Sequence, residues 1–192
     1  MINKRFSFTR NNIQCEGTGD FFNDTDLSVI NQYYFDWKKL NSINQTYDFR
    51  RNTLSEILSE GLASALFGWA RTNATTLTGC PSSSCDLVDC ESGELIQLKS
   101  CSTSGDIKPG PTSFGPESEF DRLIFMHLDC DKDQAFFYEL DANDYKNWFV
   151  NKTQTIADQQ AQGKRPRLTI LPKVKANNIQ PFQIYNFRKE DE

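Results

Sequence analysis

Three polar side chains beside one turn have the types and spacing that metal-dependent hydrolysis needs. Asp86 precedes the turn sequence Glu91-Ser92-Gly93, and Gln97 and Lys99 follow it. Successive side chains of a strand point to opposite faces, so Gln97 and Lys99 share one face. A loop at 90–93 would pair Asp86 with Gln97, and a loop at 92–93 would pair it with Lys99. In either register the three side chains share one face, where they could hold a divalent metal and position a water beside a phosphate.

A helix upstream of the turn offers a fourth polar group. Residues 54–71 carry apolar side chains at three- and four-residue spacing, with Asn52 or Thr53 available as the cap. Glu60 lies at the edge of the apolar stripe, whereas Glu56 lies nearer the solvent side. A glutamate at this border could reach the edge of a sheet, or it could be an ordinary boundary residue.

The remaining elements are predicted from periodicity and from turn residues. Helices are expected at 24–40, 143–150 and 153–162, and strands at 120–129, 135–140 and 168–171. Two polar loops, at 72–84 and 100–118, are rich in Ser, Thr, Gly and Pro. The second loop follows Lys99 directly and is long for a compact domain, so we expect it to lie beside the site and to take part in function.

Length and charge bound the class of protein. The chain has 192 residues and a net charge of −5, which predicts a single domain over 1–192 with a real core. No apolar run reaches the length of a membrane span, and no secretory segment is recognised at the N-terminus, so we expect a cytoplasmic protein without a membrane partner. Residues 143–192 hold nine Lys/Arg against five Asp/Glu, which allows either a basic groove or an ordinary solvated surface.

Cysteine and histidine usage excludes several chemistries. The six cysteines include no C-x-x-C pair, which is a poor match to a zinc site, and we expect them to be reduced and structural. His127 is the only histidine and lies within an apolar run. Nucleases that need several histidines are therefore excluded.

Four segments together resemble the PD-(D/E)XK nuclease superfamily. They are Ser59-Glu60-Gly61-Leu62-Ala63, Cys85-Asp86-Leu87-Val88-Asp89, Ile96-Gln97-Leu98-Lys99-Ser100 and Thr112-Ser113-Phe114-Gly115-Pro116. The resemblance implies an α/β fold with a mixed sheet, built on a restriction-endonuclease-like αβββαβ core at about residues 50–150. It would be flanked by an N-terminal helical segment, 1–49, and a basic C-terminal segment, 151–192.

The same resemblance implies a role for each residue of the site. Asp86 would be the principal ligand of Mg²⁺, with the Gln97 side-chain oxygen, the Leu98 carbonyl and Glu60 as further ligands. Lys99 would orient or help deprotonate the attacking water and offset charge on the phosphate. Gln97 is neutral where most members of the superfamily carry an acid, which should weaken metal binding unless another acid compensates.

Double-stranded DNA would be the substrate, and recognition of a palindrome would imply a two-fold homodimer. Basic side chains near the C-terminus are candidates for phosphate or base contacts, because arginine forks suit both. They are Lys164, Arg165, Arg167, Lys173 and Lys175. The loop after Lys99, with Lys108 and Ser113, would enter a groove, and Phe114 would either wedge against bases or simply pack.

Among nucleases of this superfamily, the chain looks like a small Type II restriction endonuclease. It resembles the group that cuts GCNGC, some members of which act on sites containing 5-methylcytosine. One alternative is a structure-selective or repair nuclease on the same fold, which would cleave junctions, flaps or mismatches. The other is a catalytically inactive DNA-binding protein, for which the neutral Gln97 leaves room.

Overall fold

A computed structural model describes residues 1–72, 76–80, 85–105, 108–115 and 119–189. Parts of the two predicted loops, at 73–75, 81–84, 106–107 and 116–118, lie outside the described residues, as do residues 190–192. The statements below concern the described ranges only.

Eight strands form one mixed sheet, in the order β1-β2-β3-β4-β5-β7-β8-β10. Their bounds are β1 Ile2–Arg10, β2 Ile13–Phe21, β3 Ala70–Thr72, β4 Leu87–Val88, β5 Leu95–Thr103, β7 Arg122–Asp129, β8 Gln134–Leu140 and β10 Gln183–Asn186. Neighbouring strands are antiparallel except for β5 and β7, which run parallel. A separate ribbon pairs β6 (Thr112–Ser113) with β9 (Arg167–Leu168).

The helices come from two parts of the chain, one before β3 and one after β8. They are α1 Asp24–Thr46, a π-helical turn Ile57–Gly61 that continues into α2 Leu62–Phe67, α3 Ala142–Tyr145, α4 Ile156–Ala161 and α5 Ile170–Ala176. Asn23 caps α1 and Thr155 caps α4, each through a reciprocal capping box. Within the described ranges, no helix is long and apolar enough to cross a membrane.

The first part of the N-terminal segment is not helical, which corrects the prediction for 1–49. Residues 2–21 form the β1–β2 hairpin, and only α1 is helical in that segment. The hairpin alternates weakly between apolar and polar residues, so its sequence carries no clear strand signal. Arg10, at its tip, donates from Nε and Nη2 to the Asp121 carboxylate at 3.1 and 2.9 Å, which ties the hairpin to the start of β7.

The predicted helix over 54–71 is shorter than expected. Gly68 adopts a left-handed conformation (φ +72°) and ends α2, and the chain then enters β3. The Oγ of Ser55, rather than Asn52 or Thr53, accepts from a first-turn amide, that of Ile57, at 3.4 Å. Arg71 is therefore a residue of β3 rather than of a helix, and it pairs with Asp20 of β2.

The C-terminal prediction is also partly wrong. The strand expected at 168–171 is limited to β9, and helix α5 begins at Ile170. Helix α5 buries Ile170, Leu171 and Val174 against β5, β7 and β8. These positions have the spacing of one helix face, so a helix buries all three, whereas an extended strand would not.

Two apolar layers enclose the sheet. One packs α1, the π-helical turn and α2 against one face, around Ile96, Leu98 and Ile124. The other packs α3, α4 and α5 against the opposite face, around Leu123 and Phe125. This mixed α/β arrangement confirms the predicted fold class, with the helix–hairpin–strand–helix order of the restriction-endonuclease-like core.

Candidate active site

The register of the central hairpin follows from its backbone pairing. Leu87 pairs with Ile96, and the Asp86 amide donates to the Ile96 carbonyl at 2.9 Å. The next pair outward is therefore Asp86 with Gln97. Of the two registers that the sequence allowed, the one with the loop at 90–93 is confirmed.

The turn itself is fixed by a close contact with the N-terminal hairpin. Gly93 has a left-handed backbone (φ +77°), and a Cβ at this position would lie 2.0 Å from the Thr9 carbonyl oxygen. A side chain there is excluded by backbone atoms that cannot move independently. Gly93 therefore lets the β1–β2 hairpin pack against the turn that carries the site.

Asp86 is held by donors from the opposite strand. Its Oδ2 accepts from the Leu98 amide at 2.8 Å and from the Gln97 side-chain amide. Burial raises the pKa of Asp86, and the Leu98 amide, the Lys99 ammonium and Gln97 oppose that rise. The N–H and C=O of one strand residue point to the same side, so the Leu98 carbonyl is directed toward this edge as well.

Lys99 is half-buried on the same face as Gln97. Burial lowers the pKa of Lys99, and the nearby carboxylates of Asp86 and Glu60 oppose that lowering, while Arg165 adds to it. An ammonium group in this setting lies close to both acids, where it can offset negative charge that enters the site.

Glu60 enters the site from the π-helical turn. Such turns hold an extra residue and are frequent at functional sites, because they redirect side chains. The Glu60 Oε2 accepts from Arg71 Nε at 2.8 Å. Burial and the neighbouring Asp86 raise the pKa of Glu60 to about 7, against the lowering effect of Arg71.

Arg71 joins three carboxylates that are distant in the sequence. Besides Glu60, it contacts Asp20 of β2, through Nη1 at 3.2 Å, and Glu56 through Nη2. The sequence interpretation missed Arg71 and Asp20, and it left Glu56 as a solvent-side residue. No local pattern could have found them, because their meeting depends on β2 pairing with β3.

The four predicted catalytic side chains line one cleft. Its volume is about 630 Å³, and its walls include Asp86, Gln97, Lys99 and Glu60. The same walls include the Arg71 cluster (Arg71, Asp20 and Glu56) and Asn3 of β1. The N-terminal hairpin therefore forms one wall of the cleft.

The β6–β9 ribbon brings part of the predicted DNA-binding set to this cleft. Ser113 of β6 pairs with Arg167 of β9, and the Phe114 amide donates to the Pro166 carbonyl at 3.0 Å. As a result Ser113 and Arg165 line the cleft beside Lys99. The Arg165 guanidinium and the Ser113 hydroxyl, which come from distant segments of the chain, thus flank the catalytic side chains.

Other predicted DNA contacts lie elsewhere. In the described ranges, the cleft walls do not include Lys108, Lys164, Arg167, Lys173 or Lys175, so any phosphate contact from them would be made outside the cleft. Of the two roles left open for Phe114, the structure supports packing: Phe114 is 2 % exposed, and its ring stacks on that of Tyr145, with ring centroids 5.8 Å apart. Phe114 is a core residue.

His127 lies outside the cleft walls, whereas Cys85, next to Asp86, is one of the residues that line them. His127 is buried, its Nε2 lies 2.8 Å from Thr103 Oγ1, and burial lowers its pKa to about 4. Cys15, Cys80, Cys90, Cys101 and Cys130 form no disulfide. Across the described ranges, no group of three or more His, Cys, Asp and Glu side chains could hold a metal ion.

The donor set nevertheless fits Mg²⁺, if amide and carbonyl oxygens are counted. Mg²⁺ takes oxygen ligands and retains several waters, so one or two carboxylates suffice. Burial raises the pKa of both acids, and the charge of Asp86 raises the pKa of Glu60 further, so a bound cation would relieve the cost of ionising them. Gln97 and the Leu98 carbonyl would supply neutral oxygens where a further acid could otherwise stand.

Comparison with known proteins gives consistent matches. The family model described as Bsp6I restriction endonuclease matches residues 22–176. A curated relative, the Type II restriction enzyme Bsp6I of Bacillus sp. (strain RFL6), is 33% identical over 151 residues, which cover 77% of this chain and 80% of the relative. No solved structure matches the chain significantly.

The chain therefore belongs to the Bsp6I restriction endonuclease family. This confirms the prediction of a small Type II restriction endonuclease, a site-specific deoxyribonuclease. The matched range of the family model begins after the β1–β2 hairpin, so the wall of the cleft that carries Asn3 and Asp20 lies outside it.

Proposed function

From membership of this family, we propose that the cleft around Asp86 hydrolyses phosphodiester bonds of double-stranded DNA with the help of Mg²⁺. The observation that carries the proposal is the convergence of Asp86, Gln97, Lys99 and Glu60 on one cleft. Two of these residues come from β5, one immediately precedes β4, and one comes from the π-helical turn. Their meeting supports a common chemical role.

Each side chain has a distinct part in this proposal. Asp86 and Glu60 would hold the metal together with the Gln97 oxygen and the Leu98 carbonyl. When bound, Mg²⁺ supplies a Lewis acid that stabilises charge on the phosphate and on the leaving oxygen. The Gln97 amide would have to rotate so that its oxygen, rather than its nitrogen, faces the metal.

Lys99 would act on the attacking water. Its ammonium group lies beside Asp86 and Glu60. Burial lowers the pKa of Lys99, which makes the neutral amine more accessible than it is for a lysine in water. It would orient the water and offset the charge that develops on the phosphate. Ser113 and Arg165, on the cleft wall, would contact the DNA backbone near the scissile bond.

The target proposed for the enzyme is GCNGC or its 5-methylcytosine form. The support for this target is the sequence resemblance described above. A short palindromic site is read by a two-fold dimer in which each subunit cuts one strand, so we propose a homodimer. Such an enzyme would act in the cytoplasm, where it meets DNA.

Digestion of two plasmid preparations tests the function. One plasmid is unmethylated, and the other carries 5-methylcytosine at GCNGC sites. Purified protein with Mg²⁺ is expected to give discrete fragments from at least one of them, and no fragments when EDTA replaces Mg²⁺. The plasmid that is cut defines the methylation dependence.

Two variants make the digestion decisive. Lys99→Ala removes the ammonium group and should abolish the fragments, whereas Glu94→Ala, at the turn and outside the cleft walls, should cleave like the parent. Equal cleavage by Lys99→Ala would remove Lys99 from the mechanism. Cleavage of junctions or flaps, without discrete fragments from plain duplex, would support the structure-selective alternative instead.

A further inference from the structure

Helix α1 carries an apolar face that the described part of the chain leaves exposed. Its inner face, with Ile30, Tyr34 and Trp37, is buried in the core. The seam, as we call the outer face, contains five apolar side chains that are each at least 40 % exposed. They are Val29, Tyr33, Leu40, Ile43 and Tyr47, and exposed Asp36 completes the row.

The spacing of the seam is that of a coiled coil. Its six positions alternate between steps of four and three residues, which is the a/d pattern of a heptad repeat. The row begins in the second turn of α1 and ends at Tyr47, the C-cap, and it spans about 27 Å at 1.5 Å per residue. An exposed face with this repeat favours another helix as its partner.

The seam matches itself when a second copy is turned end to end. An antiparallel pair centred near Lys38 places every a position against a d position of the other helix. The facing pairs are Val29 with Tyr47, Tyr33 with Ile43, and Asp36 with Leu40. Such self-complementarity is what an isologous two-fold interface requires.

Charge also favours the antiparallel arrangement. Asp36 and Lys39 are both exposed, and knobs-into-holes packing places Asp36 beside Lys39 of the partner subunit. A parallel pair in register would instead put the two Asp36 carboxylates against each other, which is unfavourable. The single acid in the seam thus selects one orientation.

The grooves beside the seam connect it to the catalytic cleft. One groove of about 600 Å³ runs between α1 and the segment 52–56, and it is lined by Tyr33, Leu40 and Leu54. Glu56 lines this groove and the catalytic cleft. A partner helix on the seam would therefore lie next to the wall of the active site.

We propose that α1 is the dimerisation helix, and that two copies of the chain pair through the seam in antiparallel, two-fold fashion. The inference rests on the proposed function only for the need of two subunits at one DNA site. The buried side chains of α1 lie roughly a third of a turn around the helix from the seam. In a two-fold antiparallel pair, the cores of the two subunits therefore lie on the same side of the paired helices. Both catalytic clefts then open near the shared interface.

Sedimentation analysis of the full chain without DNA tests the pairing. The parent is expected to be a dimer, and Leu40→Glu should raise its dissociation constant by about tenfold or more, since a charge would be buried in the seam. Ser42→Glu is the matched control, because this exposed α1 residue lies off the seam. Thermal unfolding followed by circular dichroism checks that each variant is folded.

A charge exchange tests the orientation. Asp36→Lys and Lys39→Asp should each weaken the dimer, because each places like charges together across the interface. The double exchange should restore the dimer to near the parent's dissociation constant. Single variants that merely failed to fold would not regain the dimer when combined, so rescue would show that the two charges interact.

The outcomes separate this inference from the catalytic proposal. A parent that is monomeric, or a dimer that Leu40→Glu leaves intact, overturns the inference even if DNA is cleaved. Loss of rescue in the double exchange overturns the antiparallel register. A dimer that behaves as expected but cleaves no DNA supports the interface and counts against the proposed function alone.

Discussion

Replacing Glu60 by glutamine should stabilise the protein at alkaline pH much more than at acid pH. The pKa of Glu60 rises from 4.5 to about 7 on folding, because burial and Asp86 disfavour its charge. The folded state then holds the proton more tightly than the unfolded state, so the free energy of unfolding falls as pH rises from 4.5 to about 7. Glutamine has no proton to release at this position.

The magnitude follows from the size of the shift. Each pKa unit corresponds to about 1.4 kcal/mol, so the shift of Glu60 corresponds to roughly 3 kcal/mol when the site is fully ionised. Glu60 is 19% exposed, so solvent screens this effect only weakly. Between about pH 5 and pH 8, the stability of Glu60→Gln relative to the parent should increase by roughly 2 to 3 kcal/mol.

Urea unfolding in EDTA, across that pH range, measures the effect. Glu56→Gln is the matched control, because Glu56 contacts the same arginine but is 72% exposed. The difference between this control and the parent should stay within about 1 kcal/mol at every pH. If the difference between Glu60→Gln and the parent were also independent of pH, the carboxylate could not be desolvated beside Asp86, and this reasoning about the site would be wrong.

Three further substitutions separate catalysis, DNA contact and packing. Lys99→Ala should lower the cleavage rate in single-turnover kinetics by about a hundredfold or more. DNA binding in Ca²⁺, followed by gel shift, should persist. Unchanged kinetics would contradict a role of Lys99 in orienting the water. Arg165→Ala should weaken DNA binding and reduce the slope of log K against log salt by about 1 if it contacts a phosphate, and an unchanged slope would remove that contact. Phe114→Ala should lower the free energy of unfolding by about 3 to 5 kcal/mol, because its ring fills the core. A Phe114→Ala protein with parental stability and weakened DNA binding would favour the wedge over the packing role.

Local sequence patterns were sufficient wherever a single element decides the outcome. The parity of Gln97 and Lys99 along β5 fixed their common face, and the turn residues allowed only two registers, both of which kept Asp86 with them. Helical periodicity likewise placed α1 and located the helix that carries Glu60. In each case the spacing along one strand or helix determines which way a side chain points.

Predictions failed where packing between distant segments overrides a weak local signal. The β1–β2 hairpin has little alternation, and it becomes a hairpin because β2 pairs with β3 and Gly93 admits its tip. The sequence left the role of Phe114 open between a wedge and packing, and the β6–β9 pairing places it in the core. The end of α2 at Gly68 was hidden because the apolar spacing continues past it.

The sequence by itself determined the chemistry that the chain can offer: a carboxylate, an amide and an ammonium group on one hairpin face, and a glutamate at a helix border. Only the tertiary structure decided which other groups share the cleft. Arg71, Asp20 and Arg165 arrive there through strand pairings between segments far apart in the chain. Side-chain types and their faces are properties of a local segment, whereas the burial, charge and pKa of a site depend on every segment that packs around it.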